Sequence, residues 1–218
     1  MSEVGKTISD ALAFVSRAGG ECDALANLIK QEISDLFHQG PLGSRYRAQQ
    51  WSSSYRMNDN GWICTDVAWS LPLVPKGKFK VAAHLGFQIS LLCTDAEAGS
   101  SPEPLLHINF WEPPTHLKSD DYMGFPMSGF SDELMSRLAE GSARLFRWEA
   151  NKGAADWWTY SLRLARLNAL EDIRSSIKQP VEALLHDLEA GELLIDSLPT
   201  AVDYTAVKGA LGYYKVVL

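Results

Sequence analysis

Between Lys78 and Cys93 the chain alternates with a period of two. Phe79, Val81, Ala83, Leu85, Phe87, Ile89, Leu91 and Cys93 stand against Lys78, Lys80, His84, Gln88 and Ser90. Only an extended strand turns every second side chain to one side, so this segment is expected to form a long strand with one greasy face. The same logic extends to its neighbours. Arg45–Met57 and Trp62–Leu71 flank Asn58-Asp59-Asn60-Gly61, a turn of residues that tolerate positive φ, and so predict a hairpin. Pro72, Pro75 and Gly77 make the next turn, and Leu105–Glu112 adds a strand with Leu106, Ile108 and Phe110 inward, ended by Pro113-Pro114.

Elsewhere the period is helical. Ile8, Leu12, Val15, Cys22, Ala26, Ile29, Ile33 and Leu36 follow a 4-3 spacing over residues 1–40, and fit one kinked helix or two helices meeting at Gly19-Gly20. Thr7-Ile-Ser-Asp10 reads as its start, and Gly40-Pro41-Leu42-Gly43 as its stop. Ser131 caps a short helix over 131–141. Arg144–Ala150 and Trp157–Arg166 form a second hairpin, with helix as the rival assignment for its second arm. Asn168-Ala-Leu-Glu171 resembles a capping box opening an amphipathic helix over 168–191. Leu170, Ile173, Ile177, Val181, Leu184 and Leu188 lie on one face, and Pro180 must kink it or begin a new helix. The tail, 192–218, ends in Tyr213-Tyr214-Lys215-Val216-Val217-Leu218 and is apolar enough to dock.

These elements predict an α+β chain of one domain, 1–218. An antiparallel meander sheet of about six strands spans 45–167, with N-terminal and C-terminal helices packed mainly on one face. A chain of 218 residues with 46% hydrophobic composition can bury a core without metal or disulfides. The formal charge of −7 argues against a general nucleic-acid binder. Cys22, Cys64 and Cys93 form neither a disulfide framework nor a zinc motif, which places the chain in a reducing cytoplasm. Met1–Asp10 has no apolar run of signal-peptide length, and no stretch is long and apolar enough to span a membrane.

No nucleophile elbow, phosphate loop or dinucleotide fingerprint occurs, and no catalytic residue, metal or cofactor is assigned. Gly5-Lys6-Thr7 lacks the earlier glycine and strand of a phosphate loop. Cys64 and Cys93 read as buried, inert thiols. If the helices cover the Phe79/Leu85/Ile89 side, His84 and Gln88 point the other way, as do His107, Asn109 and Trp111 on the next strand. That second face is either a binding surface or a solvated one. Trp157 and Trp158 must take opposite faces, leaving one indole for solvent or a partner among Arg144, Arg147 and Arg163. The expected binding residues are therefore His84, Gln88, His107, Asn109, Trp111, Arg147, Trp157 and Trp158. A metal would have to gather three or four of Asp66, His84, His107, Glu112, His116 and Asp120. A restriction-type nuclease would need a carboxylate and a lysine where Gln88-Ile-Ser90 stands.

No residue motif identifies a family. The order helix, strands, helix, two strands, helix over residues 22 to 190 is similar to that of small acidic secretion chaperones, which bind an unfolded stretch of a client. Charge, aromatic strands and this resemblance lead to the expectation of a non-catalytic cytosolic protein-binding or regulatory protein of chaperone, adaptor or inhibitor type. Its partner would be a protein, with homodimerisation through the Leu170–Leu188 stripe as one use of that face and packing on the sheet as the other. The competing expectation is a metal-dependent hydrolase or nuclease with a nonstandard site near Asp66, His84, His107 and Glu112. A third is small-ligand binding between the sheet and the 113–130 loop, with Trp111, His116, Tyr122 and Phe125 as walls.

Overall fold

A computed structural model describes residues 3–91, 101, 103–111, 132–139, 142–149 and 156–217. The chain is α+β, as its two periods dictate. It opens with a helix of 36 residues, α1 (Glu3–His38), followed by a 3-10 turn at Pro41–Ser44. Five strands follow: β1 (Tyr46–Ala48), β2 (Ser52–Met57), β3 (Cys64–Pro75), β4 (Ala83–Ser90) and β5 (Leu105–Trp111). After the short α2 (Asp132–Arg137) come β6 (Leu145–Trp148) and β7 (Trp157–Arg163). The remainder is α3 (Leu170–Ile173), a π turn (Arg174–Lys178), α4 (Gln179–His186), α5 (Leu188–Asp196) and a hairpin of β8 (Tyr204–Ala206) and β9 (Tyr214–Val216).

The sheet is antiparallel in the order β1-β3-β4-β5-β7-β6, with β2 also paired to β3. In its centre Trp69 pairs with Phe87, Phe87 with Ile108 and Ile108 with Tyr160, so these four side chains share one face. Against that face pack Ile29, Ile33 and Leu36 of α1 and Ile173, Ile177, Val181 and Leu184 of the C-terminal helices. Stacked rings tie the layer together, Trp69 on Phe87 at 4.8 Å and Phe110 on Trp158 at 5.7 Å between centroids. No described helix is long and apolar enough to cross a membrane.

Several expectations change in detail. α1 runs unbroken through Gly19 and Gly20, because about 1 kcal/mol per glycine does not overcome the cooperativity of so long a helix. Thr7 is not its cap: its hydroxyl donates to the Glu3 carbonyl at 3.0 Å, inside the helix. The helix ends at His38 and is closed by Gly40, whose N–H donates to Asp35 O at 2.8 Å and whose missing Cβ would sit 2.8 Å from Leu36 Cα. β3 runs on through Pro72, so β4 starts at Ala83 rather than Lys78, opposite Leu73. Pro75 has no N–H with which to extend that ladder, and Phe79, expected inward, is 94% exposed. Cys93 lies outside the described residues. The cap of α3 is made by Asp172, not Glu171: its carboxylate accepts the N–H groups of Asn168 and Ala169 at 2.8 and 2.9 Å. Pro180 enters α4 directly after the π turn, and the next helix break falls at Asp187, whose side chain caps α5. The Ile173–Leu184 face packs on the sheet, the second of its two expected uses.

Candidate functional site

The face turned away from the helices is polar at its centre. Register sets Ala68, Gln88, His107 and Ser161 in one row across four strands, and Ser70, Gly86, Asn109 and Thr159 in the next. Gly86 is required here, since a Cβ would lie 2.6 Å from Asn109 Oδ1 and 3.0 Å from the Trp69 carbonyl. Its absence lets the Asn109 amide lie across β4. At the open end of the floor Asp66 Oδ1 accepts from Gln88 Nε2 at 3.0 Å and from Ser90 Oγ at 2.8 Å, while its Oδ2 accepts from Thr65 Oγ1 at 2.9 Å. A carboxylate buried to 4% exposure is thus held by neutral donors.

The floor is not a solvated surface. Gln88, Ser90, His107, Thr159 and Ser161 are all buried, while His84, Asn109 and Trp157 are partly exposed. His107 Nδ1 lies 2.7 Å from Ser161 Oγ, and burial pushes the His107 pKa down to about 3, so the ring is neutral at physiological pH. Among the described residues, four buried polar atoms on this sheet have no hydrogen-bond partner: Ser70 Oγ, His107 Nε2, Trp111 Nε1 and Trp157 Nε1. All four residues fall on this face.

Towards the β6 edge the floor becomes aromatic. Trp111 packs on Trp148 at 5.0 Å and on Trp157 at 5.5 Å, and the β8–β9 hairpin closes over Phe146 with Tyr204 and Tyr214. The Arg137 guanidinium lies 4.4 Å from the Trp157 ring centre. His84, Gln88, His107, Asn109, Trp111 and Trp157 therefore share one face, as alternation requires. Arg147 and Trp158 do not. They pair across β6 and β7 and so point to the helix side, where Trp158 is buried in the core and Arg147 faces Glu192 of α5 at 3.7 Å. The expected arginine set around an exposed indole is absent for the same reason: Arg144 is bound to Asp203, Arg163 to Glu103, and Trp157 is served by Arg137.

Among the described residues no three His, Cys, Asp or Glu groups converge as metal ligands, and Glu112, His116, Asp120, Tyr122 and Phe125 lie outside them. Burial and neighbouring carboxylates raise the pKa of Cys22, with Asp23 and Glu21 adjacent, and of Cys64, beside Asp66, which keeps both as thiols.

A second surface was hidden within the helical stripe. No residue of α1 before Ala26 is buried, although the 4-3 spacing continues through that stretch. Val4, Ile8, Leu12, Phe14 and Val15 are 45% to 70% exposed. Helix length was the available signal: 36 residues span about 54 Å, against about 40 Å for the 12 residues of β3, so one end must overhang. Trp62, at the tip of the β2–β3 hairpin, is 82% exposed.

No family model matches this chain, and no match is found among curated proteins or solved structures.

Proposed function

We propose that the chain is a non-catalytic protein-binding or regulatory protein of chaperone, adaptor or inhibitor type, working in the cytoplasm. One observation carries this reading: an apolar helix stripe, continuous with the stripe that builds the core, stands in solvent over Val4–Val15. A contiguous exposed apolar patch of this kind marks an interaction site. Trp157 under Arg137 supplies a further anchor beside His84, Asn109 and Trp111 on the sheet.

The test is association of purified protein with itself and with native lysate, comparing the native sequence with an Ile8→Glu/Leu12→Glu variant. The native chain is expected to hold a protein at fixed stoichiometry and the variant to lose it at least tenfold. A chain that remains solitary in both settings overturns the reading.

The four unpartnered polar atoms on the floor favour a second reading, a small polar ligand held against the sheet. Trp111 and Trp157 would report it, so a ligand screen read by Trp fluorescence is expected to give a saturable change that His107→Asn abolishes. A screen that leaves the emission flat removes this reading.

A further inference from the structure

We propose that the occupant of the exposed α1 stripe is a second copy of this chain, paired antiparallel over residues 4–22 about a two-fold axis near Ala13. The inference rests on the reading that this stripe binds protein.

Its first support is the distribution of charge. In a heptad frame Ile8, Val15 and Cys22 take the a positions and Val4, Ala11 and Ala18 the d positions, with Leu12 and Phe14 flanking at e and g. Glu3, Lys6, Asp10 and Arg17 fall at the outer c and f positions, and Glu21, at g, faces the uncharged Thr7 of the partner subunit, so a pair brings no like charges together across the seam.

Size is the second. Antiparallel pairing sets Val4 against Cys22 of the partner subunit, Ile8 against the partner's Ala18 and Ala11 against the partner's Val15. Every layer then joins a larger side chain to a smaller one, as interdigitating packing requires. Leu12 meets the partner's Leu12 on one flank and Phe14 the partner's Phe14 on the other. An added Cβ at Gly19 would meet nothing within 4 Å, so space for a second helix is open there.

Direction follows from the core. Beyond residue 25 the same helix face is covered by the chain's own sheet, through Ala26, Ile29, Ile33 and Leu36. A parallel copy would bring its own domain to that end, into space already filled. An antiparallel copy ends opposite residue 22, where the sheet takes over. The five large side chains present on the order of 500 Å² per chain, so a symmetric pair removes about 1,000 Å² from water, at the threshold for a specific interface.

Sedimentation equilibrium and disulfide trapping test this together. At about 100 μM the native protein is expected at about 48 kDa, twice the chain mass of 24.1 kDa, and the Ile8→Glu/Leu12→Glu variant at the monomer mass with unchanged circular dichroism. Under oxidation the Val4→Cys variant is expected to cross-link to Cys22 of the partner subunit, and Cys22→Ser to abolish that product. Native Cys22 should not cross-link to its own copy, because the pairing holds the two thiols about 27 Å apart. A native monomer at this concentration, a dimer that survives both glutamates, or a Cys22–Cys22 disulfide in the native chain would each overturn the inference. A native monomer whose stripe still captures another protein leaves the protein-binding reading standing and removes only this one.

Discussion

Taking the native protein from pH 6.5 to 4.5 is expected to cost about 2 kcal/mol of unfolding free energy through His107 alone. The ring is completely buried, with Nδ1 against Ser161 Oγ, and burial lowers its pKa from 6.5 to about 3. Between those two values the unfolded chain binds a proton that the folded chain refuses. Stability is nearly unaffected above about pH 7.5, falls with a slope approaching about 1.4 kcal/mol per pH unit below pH 6.5, and stops falling near pH 3. Urea unfolding at half-unit pH intervals reads the slope directly. His107→Asn, whose amide reaches the Nδ1 position but carries no titrating group, is expected to flatten it while lowering stability at pH 7.5. Glu32 also loses stability in acid, but below the interval from pH 6.5 to 4.5. Hydrogen bonds from Arg174 and Lys178 lower its pKa beneath the ordinary 4.5, so its contribution is complete above that value and is lost as pH falls through the depressed one. A variant that keeps the native slope between pH 6.5 and 4.5 would show that His107 is protonated inside the fold.

His107 also marks the boundary of what could be read beforehand. Period-two spacing assigns sides, and it assigned them correctly for His84, Gln88, His107, Asn109 and Trp111, because pleating admits no other arrangement. It carries no information about depth. Whether a polar face meets water depends on what the rest of the chain lays over it, and Gln88 and His107 prove buried where a solvated face was one of the two expectations. The β6–β7 hairpin shows the complementary limit. Trp157 and Trp158 had to diverge, but which of them joined the core was set by the ladder from Phe110 to Trp158, a pairing over nearly fifty residues of chain that no local pattern encodes. Phe79 failed differently. Its alternation was genuine, yet Pro75 on the opposing strand ended the ladder four residues too early for the pattern to be used. The overhang of α1 was written in the stripe itself, since an apolar repeat longer than the sheet beneath it must meet something else.

What holds that overhang in place is a carboxylate at the rim of the core. Glu32 sits on the buried face of α1 between Ile29 and Leu36, 5% exposed, and the π turn brings two cations to it. Arg174 Nη2 donates to Oε1 at 3.0 Å and Lys178 Nζ to Oε2 at 2.7 Å. The partners are not equivalent in their surroundings: the Arg174 and Lys178 side chains keep 45% and 27% exposure, so either can turn to water if the carboxylate is lost, whereas Glu32 cannot. Removing both cations, as Arg174→Ala/Lys178→Ala, leaves that carboxylate without compensation and is expected to lower stability clearly more than removing the carboxylate does. Removing the carboxylate instead, as Glu32→Met, keeps the volume and frees two cations to solvent, and is expected within about 1 kcal/mol of the native protein. Each single alanine variant should cost less than half of the double one, because the remaining cation still serves Glu32. Urea midpoints at pH 7.5 give the comparison. Equal losses from Glu32→Met and from the double alanine variant would mean that the ion pairs themselves, and not the burial of one charge, dock α1 on the C-terminal helices and set the angle at which its stripe leaves the domain.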